Sequence, residues 1–270
     1  MKIRLIIPKC ENFNGWYCEA SSDIDQRVEM LNQVMKERDN IRLIITSHNF
    51  LTFYSKSGIS AKEFIVTKII RTLEEKIENK KPLVIGFDLL RSNQAKKQIG
   101  KKKIRGDFNP YGGIDAIVCY IKVENNSYAY RTHLWECWQG KGECNPKYFE
   151  EQNESRIFSL GGRTIGLLSC GDIARYCHND GVLLPKVDIY ADLSHKSLIG
   201  WSSQNRIPSK MIKIWNKCEY VLITQQVKDI STYLSNREYP YIFPKNTTHK
   251  VKELFVKGES KGVVIDVYIP

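Results

Sequence analysis

The residue best placed to do chemistry is a cysteine at the abrupt end of an apolar run. The segment Gly162-Arg-Thr-Ile-Gly-Leu-Leu-Ser-Cys-Gly-Asp-Ile173 reads as a strand that stops at Cys170-Gly171-Asp172, and strand ends are where α/β folds gather ligands and reacting side chains. Gly171 permits a tight turn after the thiol. A helix beyond it would aim backbone N–H groups at a thiolate or an oxyanion. The chemistry implied is attack by sulfur on an electrophilic carbon. Taken alone, Cys170 is better described as a small buried hydrophobe, the commoner fate of a free cysteine. Asp172 has its own structural use, accepting backbone N–H bonds after the turn.

Other chemistries find less support. His133, Cys137, Cys144, Cys177 and His178 supply soft ligands, but their spacing lacks the paired Cys-x-x-Cys or His-x-x-x-His patterns of structural zinc, so no metal is expected. There is no Walker-type phosphate loop and no Gly-x-Ser-x-Gly elbow. No organic cofactor is implied.

The elements that must position Cys170 alternate in type. Lys2 to Ile7 reads as a strand, and Ile24, Val28, Leu31 and Met35 recur at helical spacing behind the caps Ser22 and Asp23. Ile41 to Ile45 is a second strand. Ser60-Ala-Lys-Glu63 is a capping box opening a helix that runs through Phe64, Leu73 and Ile77. Leu83 to Phe87 is a third strand, and this alternation predicts helices packed on a sheet. Antiparallel pairs are then expected at 114–123 with 127–134, and at 156–159 with 163–169 around Gly161-Gly162. Strands at 187–191, 220–224 and 262–269, with a helix from Ser209, complete the reading. No repeat, low-complexity block or linker divides residues 1–270, so one domain is expected.

Composition bounds the partners. The chain has 270 residues, 42% of them hydrophobic, enough for a substantial core. Its opening residues are too briefly apolar for a leader or a membrane span, so a cytoplasmic protein with no membrane partner is expected. Eight cysteines then read as reduced thiols. A formal charge of +11 points to anionic partners, and the most concentrated basic stretch, residues 91–105, could dock an acidic one. That stretch holds no aromatic residue for bases to stack on, which disfavours nucleic acid.

The cysteine segment resembles that of the nitrilase (carbon–nitrogen hydrolase) superfamily, with Gly166, Cys170 and Asp172 matching the glycine, the nucleophile and the acid two positions later. Val187 to Ser194 is similar to the family's next strand. Tyr130-Arg-Thr-His-Leu134 is similar to the strand that carries the catalytic lysine, and Ile44-Ile-Thr-Ser-His-Asn-Phe-Leu51 stands where the general-base glutamate is supplied. The resemblance covers nearly the whole chain in element order. It implies an α/β fold, an α-β-β-α sandwich with two mixed sheets, which pairs into a homodimer or higher homo-oligomer with four layers. It also implies a thiol hydrolase cleaving a nonpeptide C–N bond in an amide, carbamoyl compound or nitrile through a thioacyl intermediate.

On this resemblance His48 takes the base position and Arg131 the lysine position. Glu143 is the residue matching a second, orienting glutamate, with Glu136 as runner-up, and Asp172, His133 and Tyr130 support the site. Two readings follow. An imidazole can deprotonate a thiol near neutral pH, and a guanidinium can hold an oxyanion or the carboxylate of an anionic small-molecule substrate. Alternatively, with two of three catalytic positions replaced, the domain is an inactive pseudoenzyme that binds a ligand or a protein partner.

Overall fold

The computed structural model describes residues 1–9, 12–13, 18–19, 24–37, 40–47, 50–55, 71–78, 81–91, 114–122, 128–135, 157–169, 185–193, 217–224, 227, 229–235 and 241–270, several strands among them by backbone alone. The capping box at 60–63, the helix expected from 209 and the basic stretch beyond Arg91 lie outside this set.

The first strand, β1 (Lys2–Pro8), is buried from Ile3 to Pro8, as a strand covered on both faces must be. It pairs in parallel with β4 (Leu43–Thr46), and β4 in turn with β6 (Leu83–Arg91). Antiparallel strands flank this parallel centre. β15 (Glu259–Tyr268) and β14 (His249–Val256) lie on one side, β7 (Ile114–Lys122) and β8 (Tyr128–Trp135) on the other. With β5 (Leu51–Ser55), which also pairs β6, this sheet has eight strands. A second, five-stranded sheet runs β13 (Ile242–Phe243), β12 (Tyr220–Thr224), β11 (Ile189–Leu193), β10 (Arg163–Ser169), β9 (Ile157–Leu160). Both sheets are mixed, as expected. A small ribbon joins β2 (Asn12–Phe13) to β3 (Cys18–Glu19).

Period-2 alternation assigns the faces. Ile3, Leu5, Ile7, Leu43, Ile45, Val84, Val263 and Ile265 pack with Ile165, Leu167, Ile189, Ala191, Leu193 and Leu222, forming a core between the sheets. On the opposite face of the first sheet, Ile6, Ile44, Leu83, Ile85 and Val264 meet the helices. There α1 (Ile24–Lys36) buries Val28, Met30, Leu31, Val34 and Met35, each worth roughly 1.5–3 kcal/mol of apolar burial. Asp25 in its first turn and Lys36 in its last complement the helix dipole. Leu73 of α2 (Arg71–Lys76) and Ile77 join the same core. A third short helix, α3 (Ile230–Ser235), contributes Ile230 and Tyr233 to the intersheet core. The outer face of the second sheet carries Leu168, Tyr190, Val221 and Ile223, all buried, so both sheets are covered on both faces, the layering of an α-β-β-α sandwich.

Several strand bounds differ from the sequence reading, β6 running on to Arg91 and β15 starting at Glu259, and two of the shifts, both toward the chain's end, bear on the site. The strand expected at 187–191 is Ile189–Leu193, because Val187 and Asp188 donate their N–H groups to Lys217 and Thr164 before the ladder begins. The strand expected at 41–45 is Leu43–Thr46. Each shift brings a polar residue, Asp192 or Thr46, into a strand end. The turn at Gly161-Gly162 is as expected, with φ of 60° and 79°, the left-handed conformation that glycine tolerates.

Candidate active site

Parallel strands bring like ends together. β10, β11 and β12 are in register, so Ser169, Leu193 and Thr224 form one row at their carboxy ends. The carboxy end of β4 in the other sheet is tied to this row, because the Thr224 hydroxyl donates to the Thr46 carbonyl at 3.0 Å, with the Asp192 carbonyl at 3.3 Å as its alternative acceptor. The two sheets therefore meet at their strand ends through a buried polar contact.

At the same place the first sheet breaks. Ile45 pairs with Val84 and Leu51 with Phe87, so six residue steps on one edge oppose three on β6. The surplus must leave the ladder between Thr46 and Phe50. Two bonds repair the break: the Gly86 N–H donates to Thr46 Oγ1 at 3.1 Å, and the Phe50 N–H closes a turn onto the Ser47 carbonyl at 3.3 Å. Behind the turn, the Arg27 guanidinium of α1 lies 5.4 Å from the Phe50 ring centroid, a cation–π contact made where both residues are buried.

Two described strands lead in sequence toward predicted residues, and a third carries three of them. β4 ends two residues before His48, and β10 ends one residue before Cys170. His48, Cys170, Asp172, Glu143 and Glu136 themselves lie outside the described residues. Arg131, His133 and Tyr130 lie on β8, described by its backbone. Arg131 pairs with Cys119, Cys119 with Val84, and Val84 with Ile45, the row that in β1, β4 and β6 belongs to the intersheet core. His133 pairs with Ile117, which pairs with Gly86, so it occupies the row of the break itself. Tyr130 falls in the adjacent row, with Tyr120 and Leu83, and Leu83 packs on the helix side.

Four further residues belong to this place and were not singled out by sequence: Thr46, Ser47, Asp192 and Thr224. Thr46, Ser47 and Thr224 are fully buried and Asp192 is 3% exposed. Their signal is a polar residue closing an apolar run, in Leu43-Ile-Ile-Thr46, Ile189-Tyr-Ala-Asp-Leu193 and Tyr220-Val-Leu-Ile-Thr224. Gly166, the matched glycine of β10, has a packing reason as well. A Cβ there would stand 2.5 Å from Cε1 of Tyr190, whose ring covers it.

Cys218, a buried cysteine outside any disulfide, is unsuited to the same chemistry. Burial pushes its thiol up to about 12, against a partly offsetting hydrogen bond from the Tyr190 backbone, so it stays protonated at neutral pH. Among the described residues no group of three or more His, Cys, Asp or Glu side chains could hold a metal ion, and no helix is long and apolar enough to cross a membrane.

No family model and no curated protein matches the chain. Solved structures do. Nit3 of Saccharomyces cerevisiae, a member of branch 10 of the nitrilase superfamily, aligns with a TM-score of 0.51 over 98% of this chain and 90% of its own, at 10% identity. The fold is nitrilase-like. At that identity the likeness is one of architecture, the two mixed sheets of the α-β-β-α sandwich described above. An amidase from Nesterenkonia sp. aligns with a TM-score of 0.43 over 84% of this chain and 76% of its own, at 14% identity.

Proposed function

We propose that this nitrilase-like domain is a thiol hydrolase of nonpeptide C–N bonds in amides, carbamoyl compounds or nitriles. The observation that carries the reading is the joining of strand ends. β10, which leads into Cys170, stands in register with the strand whose Thr224 is bonded to β4, which leads into His48.

In the proposed reaction on an amide, His48 takes the thiol proton and the Cys170 sulfur attacks the carbonyl carbon. Charge develops on the carbonyl oxygen, where the Arg131 guanidinium stabilises it. The proton on His48 passes to the leaving nitrogen, ammonia departs, and a thioacyl ester remains. Water, deprotonated by His48, then releases the carboxylic acid and regenerates the thiol. Because arginine stays protonated, it serves only as a fixed charge and all proton traffic falls to His48. In this scheme Glu143 orients the site, while Asp172, His133 and Tyr130 support it.

The test is incubation of wild type, Cys170→Ala and His48→Ala with a panel of amides, carbamoyl compounds and nitriles, read by intact mass and ammonia release. A Cys170-dependent acyl adduct and ammonia are expected, with His48→Ala slower by about 10²–10⁴-fold. Absence of both adduct and ammonia across the panel rejects the hydrolase. A second reading, a pseudoenzyme that binds without turnover, is favoured by the histidine and arginine standing where the family has glutamate and lysine. Ligand binding by wild type and Cys170→Ala alike, with no product, would establish it.

A further inference from the structure

The hydroxyls at the joined strand ends are not equivalent. Thr46 Oγ1 accepts from the Gly86 N–H and donates to the Ser47 carbonyl, both at 3.1 Å, and Thr224 Oγ1 donates to the Thr46 carbonyl. Ser47 Oγ is fully buried and has no hydrogen-bond partner among the described residues. Its backbone is held firmly, the carbonyl accepting from both Thr46 Oγ1 and the Phe50 N–H. Leu43 and Ile45 face the second sheet, and Ser47 is next in that alternation, one residue past the strand and adjacent to His48. A buried polar atom left without a partner opposes folding, and such atoms are rare unless function retains them.

We infer that Ser47 is a substrate-binding residue that recognises a primary amide or carbamoyl group in preference to a nitrile. This rests on the reading of the strand ends as the substrate site. A hydroxyl donates one hydrogen bond and accepts two. An amide offers it both partners, a carbonyl oxygen and an N–H. A nitrile nitrogen offers only an acceptor. With its backbone pinned before any ligand arrives, the hydroxyl loses little freedom on binding.

The experiment uses Ser47→Ala alone and in a Cys170→Ala background that cannot turn over. Removing the unpartnered hydroxyl should raise Tm by about 2–4 °C. In the Cys170→Ala protein, ligand-observed NMR titration should show propionamide binding that weakens about tenfold on adding Ser47→Ala, with propionitrile affinity changed less than about twofold. A fall in Tm, absent or unaltered propionamide binding, or equal loss for both ligands would overturn the assignment. If Cys170→Ala binds propionamide with this dependence but wild type releases no ammonia from it, the hydrolase reading falls and the role of Ser47 stands.

Discussion

Gly166 shows how one absent side chain can govern a strand. The Tyr190 ring occupies the space a methyl group would need, and its own hydroxyl donates to the Pro185 carbonyl, so the ring is held at both ends. Gly166→Ala should therefore cost about 1–3 kcal/mol through overpacking, read as a lowered urea midpoint, and Tyr190→Leu in the same chain should recover part of it. No recovery would mean that the glycine is needed for its backbone instead. The sequence offers Gly166 as a motif position; its reason lies 24 residues away on the neighbouring strand. Arg4 was less legible still. Its charge suggests solvent, yet its side chain is fully buried beneath α1, held by Asp266 and Glu37. A partner so distant in sequence leaves no local trace.

At the scale of elements, legibility follows burial. Strands and helices with one or two covered faces, such as β1, α1 and the β9–β10 hairpin, declare themselves by period. β14 does not, because its residues 250–252 are exposed and lysine alternates with valine there, so hydrophobic patterning is weak. The β4–β5 break was illegible for a different reason: it depends on a register difference against β6 that no single segment contains. Thr46 compensates the break by accepting the Gly86 N–H. Thr46→Val should leave that buried donor without its acceptor, at a cost of about 1–3 kcal/mol, and amide exchange at Gly86 should accelerate more than at Leu83. Equal protection at both positions would show that the side chain is not what closes the gap. The sequence offered candidate residues just after the β4 and β10 segments as motif positions, while the polar contacts that join those strand ends, made between strands far apart in sequence, left no local pattern.

At the scale of the molecule, charges under α1 tie distant parts together. Arg4 makes two bonds to Asp266, at 2.5 and 2.8 Å, and also donates to Glu37 at the end of α1. Lys2 adds an ion pair to Asp266 at 3.0 Å, and Lys252 of β14 reaches Glu37 at 2.6 Å. Burial alone would push the Asp266 carboxyl up; the hydrogen bonds and charges of Arg4 and Lys2 outweigh it and hold it below the usual carboxylate range. Its folded value is thus depressed relative to the unfolded chain. The resulting stability is present above the ordinary carboxylate range and is lost as pH falls through the folded value. Asp266→Asn should cost about 1–3 kcal/mol at neutral pH, since it removes one charged partner from the buried Arg4 guanidinium, which keeps its bond to Glu37, and should flatten the acid limb of a stability–pH curve. An acid limb as steep as in wild type would place the responsible carboxylates elsewhere.

The pairing of β1 with β15 carries a consequence for how the protein is made. Arg4 and Asp266 meet across a separation of 262 residues, and β1 lies inside the larger sheet, bordered on one side only by β15. During synthesis that edge of β1 has no native neighbour until β15, 262 residues on from Arg4 at Asp266, has left the ribosome, and closing so long a loop is entropically slow. Until then the apolar β1 has an open edge, the kind of exposed strand that invites wrong pairing and that chaperones shield.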